Sequence, residues 1–239
     1  MAIALAAATT SFAYAEGVSA ADEKRIKELA LEAILEHPEI IEEAIIRLRQ
    51  LQDDRQQQAA LKTITERREE FLRDPNAPVF GNPDGDVTVV EFFDYNCPYC
   101  KKAAEPVSKL LAADGNVRLV YREWPILGEG SVFAARAALA ARKQGKYEEM
   151  HVGLMSGRRA DERYTIKLAE NLGLDIEMLR RDMQAPEVEQ HIALSMELAG
   201  GLGINGTPTF VIGEQLAPGL IPYEQLREMV AKARSSKTK

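Results

Sequence analysis

"EFFDYNCPYCKK", residues 91–102, holds both cysteines of the chain. The run leading into it, "VTVVEFFDY" (87–95), reads as a buried β-strand, and "PYCKKAAEPVSKLLAA" (98–113) reads as a helix. Cys97 therefore stands where a strand gives way to a helix, and unpaired backbone N–H groups and the helix dipole stabilise a thiolate there. Pro98 suits a first helical position. Cys100, one turn on, can reach back to resolve a mixed disulfide at Cys97. Competing uses fit less well. A structural zinc site needs four Cys or His ligands, and the three histidines (His37, His151, His191) are scattered without ligand spacing. Covalent haem attachment needs a histidine after the second cysteine, where this chain has Lys101. A merely structural disulfide would close a very short loop and add little chain-entropy stabilisation. A redox-active pair uses every local feature, with no metal and no other cofactor.

Working outward, "NVRLVYREWPI" (116–126) is a second strand with clear alternation. Strand, helix, strand with a helical crossover predicts a parallel βαβ unit. Residues 131–200 carry only helical signals, in three stretches (131–156, 161–173 and 175–203). Strand signals return in "TPTFVIG" (207–213) and "EQLAPG" (214–219), before a closing amphipathic helix from Pro222 to about Ala233 with Leu226 and Val230 facing inward. The order is βαβ, a helical block, then ββα.

The N-terminal part is of another kind. "MAIALAAATTSFAYAEG" resembles the apolar region and cleavage site of a secretory signal peptide, although Met1 to Ala15 lack the usual Lys or Arg. Residues 1–15 are read as this segment, with a mature start near Glu16, and the protein as exported. Ser19 and Asp22 have capping-box spacing ahead of a helical pattern, which His37-Pro38 interrupts. In the next helix Ile41, Ala44, Leu48 and Leu51 form a short apolar seam that Arg55 breaks. Residues 53–73 are strongly polar, with only Leu61, Ile64 and Phe71 to bury, and read as a solvated connector or part of a stalk. Residues 16–77 form a helical oligomerisation arm and linker on this reading. The Pro-, Gly-, Asn- and Asp-rich stretch 74–86 marks the entry to a catalytic domain over 78–239, with its helical insertion at about 130–202.

The chain has 239 residues, 46% hydrophobic and 28% charged, which suits a globular protein with a real core. A formal net charge of −7 argues against nucleic acid or an anionic membrane surface as the main partner. No apolar run approaches the roughly 20 residues that span a bilayer.

"VVEFFDYNCPYC" (89–100), "LVYREWPILGEGS" (119–131), the helical block and "GINGTPTFVIG" (203–213) together resemble the DsbA-type thioredoxin-fold oxidoreductases. With its helical arm the chain is most similar to the suppressor-of-copper-sensitivity C (ScsC) branch. The resemblance implies an α/β thioredoxin fold with a helical insertion, preceded by an N-terminal helical arm. It makes Cys97 the nucleophile and Cys100 the resolving thiol. Pro208 becomes a cis-proline opposite the cysteines, with Thr207 offering backbone hydrogen bonds to an extended substrate, and Pro98 and Tyr99 complete the substrate-contacting set. Glu91 matches the family's buried acid beneath the active site, able to take a proton from Cys100; a solvent-facing strand residue is the alternative.

Two features point to a couple less oxidising than that of the strongest oxidases: no histidine lies between the cysteines, and Thr207 precedes the cis-proline. The expected activity is periplasmic disulfide isomerisation of exported proteins by a homo-oligomer, a trimer through residues 22–73, kept reduced by a membrane thiol–disulfide reductase. A monomeric dithiol oxidase and a copper-binding or chaperone-like module are the alternatives. Tyr95 and Trp124 border a peptide groove or simply pack. Lys101 and Lys102 are read as solvated, and His151, His191, Met178, Met183 and Met196 as packing or surface residues rather than ligands.

Overall fold

The computed structural model describes residues 19–236, so the expected signal segment, 1–15, lies outside the described residues. The chain divides between Asp53 and Asp54 into two units. Helix α1 (Ala20–Glu36) and most of α2 (Glu39–Glu66) make up the described part of the first. Ser19 Oγ accepts the Asp22 N–H at 3.2 Å while Asp22 Oδ2 accepts the Ser19 N–H at 3.3 Å, the reciprocal cap expected from the spacing. His37-Pro38 separates the two helices, as the proline dictates. Arg55 interrupts the apolar seam but not the helix. Every residue from 19 to 53 is exposed, including Ile26, Leu35, Ile41, Ile45 and Leu48.

The second unit is built on a five-stranded sheet: β1 (Val79–Gly81), β2 (Val87–Phe93), β3 (Val117–Glu123), β4 (Thr209–Ile212) and β5 (Gln215–Pro218), in the order β1-β3-β2-β4-β5. β2 and β3 are parallel through the crossover helix α4 (Pro98–Ala113), with Glu91 opposite Tyr121, and the remaining pairs are antiparallel. The βαβ and ββα halves, the block between them and the helices ahead of them bear out the expected fold. β1, too short and too close to prolines to register in the sequence, adds an edge strand against β3.

One face of the sheet packs Val89, Phe93, Leu119 and Tyr121 against Val107 and Leu110 of α4 and against Leu226 and Val230 of α10 (Tyr223–Ser236). The helical insertion covers the same core with α5 (Glu129–Ala141), α6 (Tyr147–Ser156), α7 (Glu162–Asn171) and α8 (Ile176–Asp182). The helical stretch 131–156 divides into α5 and α6 where Gly145 (φ +68°) turns the chain in a left-handed conformation. Pro186 likewise starts α9 (Pro186–Leu202).

The other face corrects two expectations. Its core joins Val90, Phe92, Val120 and Trp124 to Leu198 and Leu202 of α9, to Ala60 and Ile64 of α2, and to Phe71 of α3 (Arg68–Arg73). Part of the segment read as a solvated connector is therefore a roof over the sheet. Ala60 and Ile64, one turn apart, face the strands, while Leu61 stays exposed. All seven residues of β3 are buried, and Leu61, one of the three residues expected to be buried in 53–73, is the one that is not.

Arg122 is 0% exposed; its Nη1 donates to Asp74 Oδ2 at 2.5 Å and its Nη2 to the Glu70 carbonyl. His191 accepts the Glu123 N–H on Nε2 at 3.2 Å and sets Nδ1 3.4 Å from the same Asp74 oxygen. Burial raises the Asp74 pKa, but His191, the Asn76 N–H and Arg122 outweigh it and bring the carboxyl down to about 2.

Removing Asp74 leaves a buried guanidinium without its counter-charge. Asp74→Ala is expected to cost about 3–5 kcal/mol in urea unfolding at pH 7. A depressed carboxyl pKa stabilises the folded state above the unfolded-state value and stops doing so as pH falls through the folded-state value. The deficit of Asp74→Ala relative to wild type should therefore be constant above about pH 4 and shrink as pH falls towards 2. A deficit below 1 kcal/mol at pH 7 would refute the buried-pair account.

Candidate active site

β2 ends at Phe93, and the next residue organises the turn that follows. Asp94 Oδ2 accepts the backbone N–H groups of Ile126 and Leu127 at 2.8 and 2.9 Å. Its Oδ1 accepts the Asn96 N–H and the Ser131 hydroxyl, each at 2.7 Å. Asn96 then donates to the Ala160 carbonyl at 2.9 Å and accepts the Ala160 N–H at 2.8 Å. Between them Tyr95 turns inward, donating to Glu123 Oε1 at 2.8 Å beside Tyr147, which donates to the same oxygen at 2.9 Å. Asp94, Asn96 and Glu123 were not singled out in the sequence. Their one signal is polarity at the ends of two apolar strands, and their partners beyond the turn itself lie 24 to 64 residues away.

This scaffold sets Cys97 at the N-cap of α4, with Pro98 in the first turn. The Cys97 Sγ accepts the Cys100 N–H at 3.4 Å and lies 3.2 Å from the Thr207 carbonyl oxygen, to which it donates only when protonated. The Thr207–Pro208 peptide bond is cis, as the resemblance implied. Both cysteines are free thiols, Cys97 4% exposed and Cys100 fully covered. A hydrogen bond from the Cys100 side chain, opposed by burial and aided by the Thr207 side chain and the N–H groups of Cys100 and Tyr99, brings the Cys97 pKa down to about 5. Burial, the bond to Cys97 and the charge of Glu91 push the Cys100 thiol far up. At neutral pH the pair is one thiolate and one thiol.

Glu91, on β2, is 2% exposed, which removes the solvent-facing alternative. Burial first, and then the Cys97 charge, raise its carboxyl to about 8. Pro98 and Tyr99 are exposed beside the cysteines, with Lys102 Nζ 5.7 Å from the Tyr99 ring. The structure thus gathers Cys97, Cys100, Glu91, Pro98, Tyr99 and Thr207-Pro208 at one end of the sheet.

Other residues take plainer roles. Tyr95 and Trp124 are buried and pack, Trp124 edge-on to Phe92. Lys101 is not simply solvated, since its Nζ donates to the Leu154 carbonyl at 3.3 Å and to that of Gly157. His151 is buried among aromatic rings, its pKa pushed down to about 3 by that burial, and its Nδ1 lies 3.2 Å from the Tyr95 hydroxyl. Met183 is buried while Met178 and Met196 are exposed. Among the described residues no cluster of three or more His, Cys, Asp or Glu is placed to hold a metal ion.

A Cys-x-x-Cys pair opening a helix after the central strand of such a sheet, with a cis-proline loop against it, defines a thioredoxin-fold redox protein. Residues 88–231 match the DSBA-like thioredoxin domain, and the chain belongs to that family. It is similar to a thioredoxin-like oxidoreductase from Silicibacter pomeroyi DSS-3, with 61% identity and a TM-score of 0.69 over 70% of this chain and 98% of that one. It is also similar to Proteus mirabilis ScsC in a transitional conformation, with 28% identity and a TM-score of 0.68 over 91% of this chain and 99% of that one. A curated relative is the Na(+)/H(+) antiporter NhaA 3 of Salinispora tropica, 34% identical over 164 residues that cover 66% of this chain and 25% of the antiporter. The chain spans about a quarter of the length of the first curated relatives it matches.

Alkylation of Cys97 tests the electrostatics. Its rate with iodoacetamide should be level near pH 7 and fall as pH drops through about 5, with Cys100 unlabelled. In Cys100→Ala the largest contribution is gone, so the midpoint should move upward. An unchanged midpoint would show that the Cys100 thiol does not hold the thiolate.

Proposed function

We propose that this chain exchanges disulfides with exported proteins in the periplasm, acting there as a disulfide isomerase and assembling as a homo-oligomer, a trimer. The observation that carries the redox chemistry is the Cys97 sulfur at the start of α4, beside the Cys100 N–H and the Thr207 carbonyl. The Cys97 thiolate attacks one sulfur of a substrate disulfide, forming a mixed disulfide and releasing the other sulfur as a thiolate. In isomerisation a second substrate thiolate attacks the mixed disulfide and returns Cys97 as a thiolate, with no net electron transfer. If that attack fails, Cys100 loses its proton to Glu91 and displaces the substrate, which leaves reduced by two electrons while the Cys97–Cys100 disulfide forms.

Glu91 suits the proton transfer. While Cys97 carries charge, the Glu91 carboxyl is held further up. Once Cys97 is in a mixed disulfide that part of the upward shift is lifted, burial still keeps the carboxyl above its ordinary range, and its pKa moves down towards neutrality at the stage when Cys100 must lose its proton. Thr207 and Pro208 line the position where an extended substrate would lie, with Pro98 and Tyr99 on the opposite rim. Staying reduced calls for an electron donor, a membrane thiol–disulfide reductase in this reading.

One observation supports assembly. The arm exposes Ile26, Leu35, Ile41, Ile45, Ile46 and Leu48, more apolar surface than two isolated helices keep in water. Several active sites around a shared space would hold a misfolded substrate during repeated attack. A dithiol oxidase is the second reading, favoured by the low Cys97 pKa, since a stabilised thiolate stabilises the reduced form and makes the disulfide a better oxidant.

Three measurements follow. Refolding of a scrambled disulfide substrate should be accelerated by the reduced protein, and activity on reduced substrate alone would favour the oxidase. Ile41→Asp combined with Leu48→Asp, both on exposed positions, should lower the mass by light scattering to that of one chain without loss of helicity. An unchanged mass would remove the arm from assembly. Glu91→Gln should slow Cys100-dependent release of a mixed disulfide by about 100-fold while leaving Cys97 alkylation at pH 7 near wild type. Equal release rates would rule out the acid's part.

A further inference from the structure

A cleft of about 520 Å³ lies between residues 73–80, β3 and the start of α6, and it shares no lining residue with the active site. Arg73, Arg118 and Arg142 line it, against an apolar wall from Val79 and Phe80. Arg118 is 6% exposed, and among the described residues its one hydrogen bond runs from Nη1 to the Leu72 carbonyl. Its Nε is buried without a partner. Arg122, four residues on and on the same face of β3, is also buried but is paired with Asp74.

No carboxylate of the described residues makes an ion pair with Arg118. Its pKa is lowered by burial and then by the charge of Arg73, so its charged neighbour repels it. Arg142 gives one N–H bond to the Asn76 carbonyl and one to the Pro75 carbonyl, which leave its charge uncancelled and its other N–H groups available. Of the two carboxylates on the lining, Asp74 is engaged by Arg122, and exposed Glu148 makes no ion pair among the described residues. A buried guanidinium without a counter-charge, beside a second cation, is strongly unfavourable unless an anion joins it. The chain as a whole carries −7, so the concentration of positive charge here runs against its overall balance.

We infer that this cleft is a binding site for a small oxyanion, a phosphate or carboxylate group, held by Arg118 at its floor and by Arg73 and Arg142 at its rim. The forked guanidinium donors match the paired oxygens of either group. The bound anion supplies the counter-charge that Arg118 lacks and ties residues 72–76 to β3. It takes no part in the cysteine chemistry.

The test is thermal unfolding of the full chain, reduced, at pH 7 and constant ionic strength, in sodium phosphate, sodium succinate or sodium chloride. Saturating phosphate or succinate should raise Tm above its value in chloride by about 2–4 °C, and the more effective salt identifies the group preferred. Arg118→Met keeps the buried volume and removes the charge. It should melt in chloride no lower than wild type and show no rise in either oxyanion. Arg73→Ala, on the exposed rim, should fold normally and need several-fold more oxyanion for half the rise, which keeps the test decisive if Arg118→Met does not fold. Equal wild-type Tm values in all three salts would overturn the inference. So would an equal rise in both variants, the mark of a general salt effect on stability.

Discussion

The active site rests on one placement: a sulfur at the point where a helix begins. α4 offers the Cys97 Sγ a backbone N–H from Cys100 and the positive end of its dipole, and the Cys100 side chain adds a hydrogen bond. The placement is not a property of α4 alone. Asp94 anchors the preceding turn to residues 126, 127 and 131, and Asn96 ties it to Ala160, so the insertion and the sheet jointly hold the Cys97 sulfur in place. Across from it, Thr207 brings its carbonyl to 3.2 Å. The two cysteines, alike in type, are driven to opposite protonation states by burial and by each other.

The second constraint is the burial of the sheet on both faces. A parallel β2–β3 pair with helices on each side requires cover for Val90, Phe92 and Val120, and the end of α2 with α3 and α9 supplies it. That cover brings carboxylates and carbonyls over β3, where Arg122 meets Asp74 and Glu70. The same geometry leaves Arg118 with a carbonyl and no carboxylate.

The redox half of the molecule was legible because its signals are local. A mostly apolar strand of seven residues, a Cys-x-x-Cys just beyond it, a proline at the first helical position and a Thr-Pro before a short strand each carry meaning within a few residues. The helix break at His37-Pro38 and the cap at Ser19 were legible for the same reason. Arg118 and Arg122 were not, since alternating arginines in a strand look alike whether water or a carboxylate lies beyond them. Their hydrogen-bond partners come from residues more than forty positions away. The roofing part of residues 53–73 was hidden because Ala60 and Ile64 are too few to mark a buried face amid so many polar neighbours. Glu91 could be matched by resemblance, but its burial comes from strands that flank β2 on both sides.

Sequence features and electrostatics bear on the direction of electron flow in opposite senses. By the resemblance, Thr207 and the absence of a histidine between the cysteines go with a less oxidising couple, whereas a Cys97 pKa near 5 favours a more oxidising one. That value lies between the pKa of about 7 in thioredoxin and about 3.5 in DsbA. The reduction potential of the Cys97–Cys100 couple, measured by equilibration with glutathione, weighs the two and tests the central claim that the helix start and Cys100 hold a thiolate. The account predicts one two-electron couple with a potential between about −270 and −120 mV, the values of those two proteins. A potential at or below −270 mV, or a pair that forms no disulfide, would contradict it.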